Sequence, residues 1–336
     1  MNKIISTNIF LFLIILFNSC TIENKPTNVT VDDFQPAEIA EIKEKPFSIA
    51  DIQIEKDLLY DRYTLDDIYP YKDTVRCFQW PKIRELLFFV DSVQLESASG
   101  WAVLQNYRNK KGTAALIKKY KRNAYGNIED DFGVERYQSI SLYNTNDSVT
   151  PERYARDGSL VKYKGEKGSF AHVEYVWGKS DWLVPQRYLQ HVSDSVVFRK
   201  VIVVDVTNQN ITTIEKQDSI WYVRSKNPAT TGLRRPPYQY ETPLGLFVFQ
   251  EKKPKMYYLK DGSTATGGYS PFASRFCNGG YIHGIPVNVP DNANIEYSYT
   301  LGTTPRSHMC VRNATSHAEF VYNWIDVLGS LLFVIE

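Results

Sequence analysis

Tyr281-Ile282-His283-Gly284 and Ser307-His308-Met309-Cys310-Val311-Arg312-Asn313 bring two histidines and a cysteine into two short motifs, with 22 residues between Gly284 and Ser307. A thiol attacks a carbonyl only as thiolate, and a neighbouring imidazole can take its proton and later deliver it to a leaving amine. Spacing alone leaves three readings open: a Cys/His nucleophile pair, a zinc site from His283, His308, Cys310 and His317, or ordinary buried residues. The zinc reading lacks the closely paired ligands of structural sites, so no metal is expected. No nucleotide or flavin motif is visible, and thiol chemistry requires no cofactor. Besides Cys310 the chain has Cys20, Cys77 and Cys277. With Cys20 set aside an odd number remains, which leaves at least one thiol unpaired in an exported protein. Cys77 and Cys277 could pair in an oxidising compartment; the plainer reading is two buried, reduced thiols.

The two motifs resemble the signature of the L,D-transpeptidase (YkuD-like) family, His-Gly followed by Ser-His-Gly-Cys-Ile/Val-Arg. Val203-Val204-Asp205, Thr242-Pro243-Leu244-Gly245 and a helix after the cysteine also match, so the likeness covers about 196 to 336. The resemblance implies a twisted β-sandwich acting on peptidoglycan stem peptides in the bacterial periplasm. It makes Cys310 the nucleophile and His283 its base, with the Gly284 carbonyl fixing the imidazole tautomer as a carboxylate does in a serine triad. His308 would sit beside the thiol, and backbone N–H groups of Met309 and Cys310 would hold the oxyanion. Arg312, Ser307, Tyr281 and Asn313 are expected to bind substrate, an internal salt bridge being the other reading of Arg312. The implied reaction is a ping-pong acyl transfer that gives a 3-to-3 cross-link. With water as acceptor the protein is an L,D-carboxypeptidase, and a third reading keeps the fold as a non-catalytic cell-wall-binding lipoprotein. Two features depart from the family pattern. Met309 stands where Gly is usual, so a positive φ there would be strained, and the loop between the motifs is long.

The elements that must carry these residues read as mainly β. From Gly100 the apolar period is two, in Trp101-Ala102-Val103-Leu104 and again from Phe170 to Trp177, which predicts a small SH3-like β-barrel over about 97–192. Its closing stretch is Asp181-Trp182-Leu183-Val184-Pro185 with Tyr188-Leu189. Alternation restarts at Val201 to Val206, turns at Asn208-Gln209-Asn210 and continues through Ile214. Leu246 to Phe249 and Ser330 to Ile335 are further predicted strands. Ser316-His317-Ala318-Glu319 is a capping-box pattern ahead of Phe320, Trp324 and Leu328 at helical spacing, which predicts a helix start six residues after Cys310. Trp80-Pro81 opens a short packing helix to about Val90. The family resemblance implies that segment 250–280, with Lys252, Lys253, Lys255, Tyr257, Tyr258 and Tyr269, lies over the site as a lid; its lysines could attract the carboxylates of a stem peptide, the plainer reading being a solvated face. Arg234 and Arg235 take the same reading, and His172 and His191 are read as structural or surface imidazoles.

Composition bounds the class. The 336 residues carry a formal charge of only +1, which argues against nucleic-acid binding by phosphate neutralisation. Aromatics reach 14% with only 3 Met, a balance that favours pleated surfaces over helical bundles. Lys3, the mostly apolar stretch Ile4 to Phe17 and Asn18-Ser19-Cys20 form a secretory leader over 1–19, too short to span a bilayer. A cysteine at this place resembles the lipobox of bacterial lipoproteins, which implies acylation of Cys20 and a lipid anchor at the periplasmic side of the envelope, with the outer membrane as the default. Residues 20–45 read as a tether, 46–195 as an N-terminal region that holds the barrel, and 196–336 as the catalytic domain of an expected monomer.

Overall fold

The computed structural model describes residues 47–97, 100–290 and 293–336; the leader, Cys20 and the tether lie outside the described residues. Residues 47–336 make one compact unit.

The centre is a six-stranded sheet in the order Gln53–Lys56, Ile220–Pro228, Asn210–Gln217, Lys200–Asp205, Ser330–Ile335, Gly245–Val248. Its middle strands are apolar at consecutive positions because both of their faces are covered. Val201 and Val203 point into one core, whereas Ile202 and Val204 point into another, and the neighbouring strand divides Leu331 and Phe333 from Leu332 and Val334 in the same way. The first core is closed by helix α1 (Trp80–Glu96), which presents Ile83, Leu87 and Val90. It is 17 residues long and runs beyond the predicted Val90, since its apolar spacing continues to Val93.

The second core lies between the central sheet and a smaller one made of Glu251–Leu259, Thr266–Cys277, Gly280–His283 and Val311–Arg312. Phe249, Phe276, Ile282 and Val311 fill this layer together with Val321 and Trp324 of helix α2 (Thr315–Trp324). The result is the mainly β, sandwich-like architecture that the sequence predicts, with two α-helices among the described residues. The expected capping box is not how α2 begins. The N-cap is Ala314, without a side-chain cap, and Ser316 lies inside the helix. An external carboxylate takes over: Glu296 accepts the Ser316 amide at 3.2 Å and the Ser316 hydroxyl, so a negative charge meets the positive end of the helix.

Residues 101–191 build a third, wholly antiparallel sheet in the order Ser180–Pro185, Phe170–Tyr175, Leu160–Lys167, Trp101–Leu104, Leu189–His191. It has its own small core around Ala102, Val161, Val173 and Tyr188. The predicted barrel is therefore an open sheet: among the described residues its two outer strands, joined by the one-turn helix Gln186–Tyr188, form no ladder with each other. Gly158 (φ +90°) is where this sheet meets the others. A Cβ there would lie 2.0 Å from the Phe276 carbonyl oxygen, so only glycine admits the approach.

Glu296→Ala should lower stability by about 1 kcal/mol through loss of the α2 cap, read as a shift in the urea midpoint with an unchanged slope. An unshifted midpoint would mean that Ser316 is satisfied by solvent.

Candidate active site

The two motifs meet on adjacent strands. Ile282 lies opposite Val311 and His283 opposite Arg312 in a short parallel ladder. Ile282 and Val311 are both buried in the sandwich core, so by strand alternation His283, Tyr281, Cys310 and Arg312 share the opposite face. That common face is what a nucleophile and its base require.

Cys310 is 7% exposed, packed with Ala273 and Tyr281 against Met256. Its Sγ donates to the Gly279 carbonyl at 3.5 Å. Burial pushes the thiol up to about 11, a rise opposed by the Tyr281 backbone and by Arg312. His283 is buried, with Nδ1 2.6 Å from the Gly284 oxygen. Burial also pulls its pKa down to about 4, so the ring is neutral at ordinary pH. A neutral ring that donates Nδ1–H to a carbonyl carries its lone pair on Nε2, the form that can accept a proton. The resting state is thus a thiol and a neutral imidazole on one face of the sheet.

Glycine at 284 has a steric cause. A Cβ there would come within 2.9 Å of Pro271 Cγ and 3.0 Å of Thr315 Oγ1. Any other residue would push away the backbone whose carbonyl holds the imidazole.

The turn 307–310 is tied on both sides. Thr242 Oγ1 donates to the Met309 oxygen at 2.8 Å, and the Met309 amide donates to the Tyr240 oxygen at 2.8 Å. Gly232 sits beneath this strap, where a Cβ would lie 2.3 Å from the Tyr240 oxygen. Met309 adopts φ +77°, the left-handed conformation anticipated from the family's glycine. A methionine held there costs about 1–3 kcal/mol of backbone strain. It is partly offset because the side chain packs on the sandwich core. With its N–H engaged by Tyr240, Met309 is no oxyanion donor, which corrects the expectation of a Met309–Cys310 pair.

Other expected site residues divide by burial. Ser307, Tyr281 and Asn313 are buried, and their polar atoms face inward. The Ser307 hydroxyl donates to the Cys310 oxygen, the Asn313 amide group to the Pro228 oxygen at 3.3 Å, and the Tyr281 hydroxyl to Glu251 at 3.4 Å. They hold the turn and its strand instead of offering groups to a ligand. His308 is exposed and paired with Asp261 at 3.0 Å, at the tip of the hairpin formed by Glu251–Leu259 and Thr266–Cys277. Its ring therefore ties the turn to the expected lid. Arg312 makes no ion pair among the described residues, its Nε lacks any hydrogen-bond partner, and burial lowers its pKa. The salt-bridge reading of Arg312 fails, and a half-buried cation is left on the sheet face that carries Cys310.

The hairpin lysines are tied down as well. Lys252 donates to the Ile325 oxygen at 2.6 Å, Lys253 lies 3.2 Å from Glu251, and Lys255 sits over the Tyr269 ring. Cys77, Cys277 and Cys310 are free, so no Cys77–Cys277 disulfide forms. His317 is buried against Ser225 at 2.9 Å, away from any metal cluster, and no group of three or more candidate ligands exists among the described residues. The strap over the turn was missed in the sequence. Tyr240 and Thr242 act through backbone and hydroxyl groups, and only Thr242 stood in a noted stretch.

Residues 199–331 match the model of the YkuD family, the L,D-transpeptidase catalytic domain. The L,D-transpeptidase match contains both motifs, the strap and α2. No curated protein matches the chain in sequence. Among solved structures it is similar to an L,D-transpeptidase from Mycobacterium smegmatis, at 18% identity over 52% of this chain and 82% of that one, TM-score 0.33. An L,D-transpeptidase from Mycobacterium tuberculosis H37Rv gives 21% identity over 56% and 70%, TM-score 0.32. A fused Zn-dependent amidase/peptidase/peptidoglycan-binding protein from Clostridium acetobutylicum gives 18% over 41% and 52%, TM-score 0.30, so the chain spans about half of that protein.

His283 at about 4 and His317 at about 3 are both neutral in the folded chain and protonate near 6.5 once unfolded. The unfolded state binds more protons below that value, so stability is complete above about pH 6.5 and falls with acid, by about 2 kcal/mol per histidine at pH 5. Urea titrations at pH 7 and pH 5 should show this loss, and His317→Gln should remove about half of it; a pH-independent midpoint would contradict the burial of both rings.

Proposed function

We propose that the protein is a cysteine-dependent L,D-transpeptidase acting on peptidoglycan stem peptides, held at the periplasmic side of the envelope by a lipid on Cys20. The observation that carries this reading is the 2.6 Å contact between His283 Nδ1 and the Gly284 oxygen, on the strand next to Cys310. It leaves Nε2 free to accept the thiol proton.

In the first half-reaction the Cys310 proton passes to His283, and sulfur attacks the carbonyl of the third stem residue. The C–S bond forms, the peptide C–N bond breaks, and the imidazolium protonates the departing terminal D-Ala amine. Negative charge on the tetrahedral oxygen falls to the Cys310 amide, since that of Met309 is engaged. Arg312, unpaired on the same face, is suited to a substrate carboxylate. In the second half-reaction the amine of a neighbouring stem attacks the thioester. The new C–N bond forms as C–S breaks, and the amine's proton returns through His283 to sulfur. The product is a 3-to-3 cross-link, and with water as acceptor it is the free tripeptide.

Burial opposes the charged form of both partners. The thiolate therefore forms only as its proton passes to His283 during attack on the carbonyl, and it does not wait as a resting ion pair.

Incubation of the soluble protein with tetrapeptide muropeptides should yield cross-linked dimers. Cys310→Ala should abolish turnover, and His283→Ala should lower kcat by at least roughly a hundredfold. Turnover that survives Cys310→Ala would sink the assignment. Alkylation of Cys310 by iodoacetamide should be slow at pH 7 and climb toward pH 11; a rate already at its plateau by pH 6 would show a resting thiolate–imidazolium pair and overturn the charge states given above.

A further inference from the structure

A polar pocket of about 270 Å³ lies where residues 105–111 meet the small sheet, lined among others by Tyr107, Lys110, Lys111, Gln250, Glu251 and Arg275. It shares a sheet face with the nucleophile. Glu251 stands opposite Arg275, Arg275 opposite Tyr281, and Cys310 continues the row, one residue before the Ile282–Val311 pair. Four strands spaced about 4.8 Å apart put Glu251 roughly 14 Å from Cys310, the span of about four extended residues.

The charges in this pocket are unbalanced. Arg275 is held by Asp157 at 2.6 Å and by Glu251 at 3.3 Å. Glu251 also takes Lys253 at 3.2 Å and the Tyr281 hydroxyl at 3.4 Å. Lys110 and Lys111 make no ion pair with a carboxylate among the described residues. The Lys110 ammonium lies 5.9 Å from the centre of the Tyr107 ring, and partial burial lowers the pKa of Lys111.

The loop that presents them is strained and rigidly held. Arg108 (φ 54°) and Asn109 (φ 51°) are consecutive non-glycine residues in the left-handed region. Gln138 clamps both, its Oε1 accepting the Arg108 amide at 2.8 Å and its own amide donating to Asn109 Oδ1 at 2.8 Å. Asn106 ties the loop to the Ser139 oxygen at 2.7 Å. Strain over-determined in this way gathers at ligand clamps.

We propose that this pocket is a subsite for a carboxylate of the acceptor peptide, with Lys110 and Lys111 as its cationic contacts. The inference rests on the acyl-transfer reading above and adds what selects the acceptor. The donor's reacting carbonyl must lie at sulfur, whereas a group held about four residues away orients the second substrate, which has no bond to the enzyme. Anchoring that peptide raises the local concentration of its amine against water, so the thioester is resolved by C–N bond formation more often than by hydrolysis.

The test is the ratio of cross-linked dimer to free tripeptide from tetrapeptide muropeptides, a ratio taken within one reaction and so insensitive to the folded fraction. In Lys110→Gln/Lys111→Gln it should fall about tenfold, and Lys110→Arg/Lys111→Arg should restore it. Amidating the acceptor's carboxylates should lower the ratio for the unsubstituted protein and leave the glutamine variant unmoved. An unchanged ratio in the glutamine variant, or wild-type product that is tripeptide alone, overturns the subsite while the acyl-enzyme reading stands. No turnover and no acylation of Cys310 in the wild type would overturn the acyl-transfer reading, and the subsite with it.

Discussion

Two residues of parallel ladder hold the chemistry together. Ile282 opposite Val311 fixes which face each flanking residue takes, and a slip of one position would turn Cys310 into the sandwich core while His283 stayed outside. So short a ladder cannot hold its own register. It is held from both ends: by the glycine at 284, wedged between Pro271 and Thr315, and by the strap through Tyr240 and Thr242, which fixes the amide and carbonyl of Met309. Helix α2 packs behind the same strands and presents Thr315 to the glycine. The helix after the cysteine is thus part of what orients the imidazole.

Burial shapes reactivity as much as placement does. The thiol is raised and the imidazole lowered by the same loss of water. The unpaired guanidinium of Arg312 lies close enough to oppose the rise of the thiol and to add to the fall of the imidazole. Three groups that would each prefer water are kept from it on one face. A thiol kept protonated in this way resists oxidants that need a thiolate.

The two motifs that meet on adjacent strands were legible in the sequence because each is local: a His-Gly pair and a Ser-His-x-Cys run stand out by residue type alone. Central strands were legible for a related reason, since Val201 to Val204 and Leu331 to Val334 are apolar on both faces. What escaped was contact between distant segments. The start of α2 looked like a capping box, but Glu296 reaches the helix from the preceding loop. His308 looked like a partner of the thiol from its place in the motif, yet Asp261, 47 positions earlier, takes its ring. The open sheet at 101–191 looked like a barrel because alternation reports which residues face inward and says nothing about whether the outer strands meet.

The N-terminal half is built into the site's support. Strand Gln53–Lys56 pairs with Ile220–Pro228 and covers what would otherwise be an open edge of the central sheet. Asp157, fully buried, receives the amides of Asn106 at 2.8 Å and Asn278 at 2.9 Å as well as the Arg275 guanidinium. A carboxylate satisfied so fully is expensive to move. Asn278 precedes Gly279, whose carbonyl accepts the Cys310 thiol. Asp157 thus fixes the turn that the sulfur leans on, and Gly158 beside it admits the backbone approach that makes this possible. The Cys310 thiol is placed by groups on both sides of residue 196, so its surroundings belong to the whole compact unit.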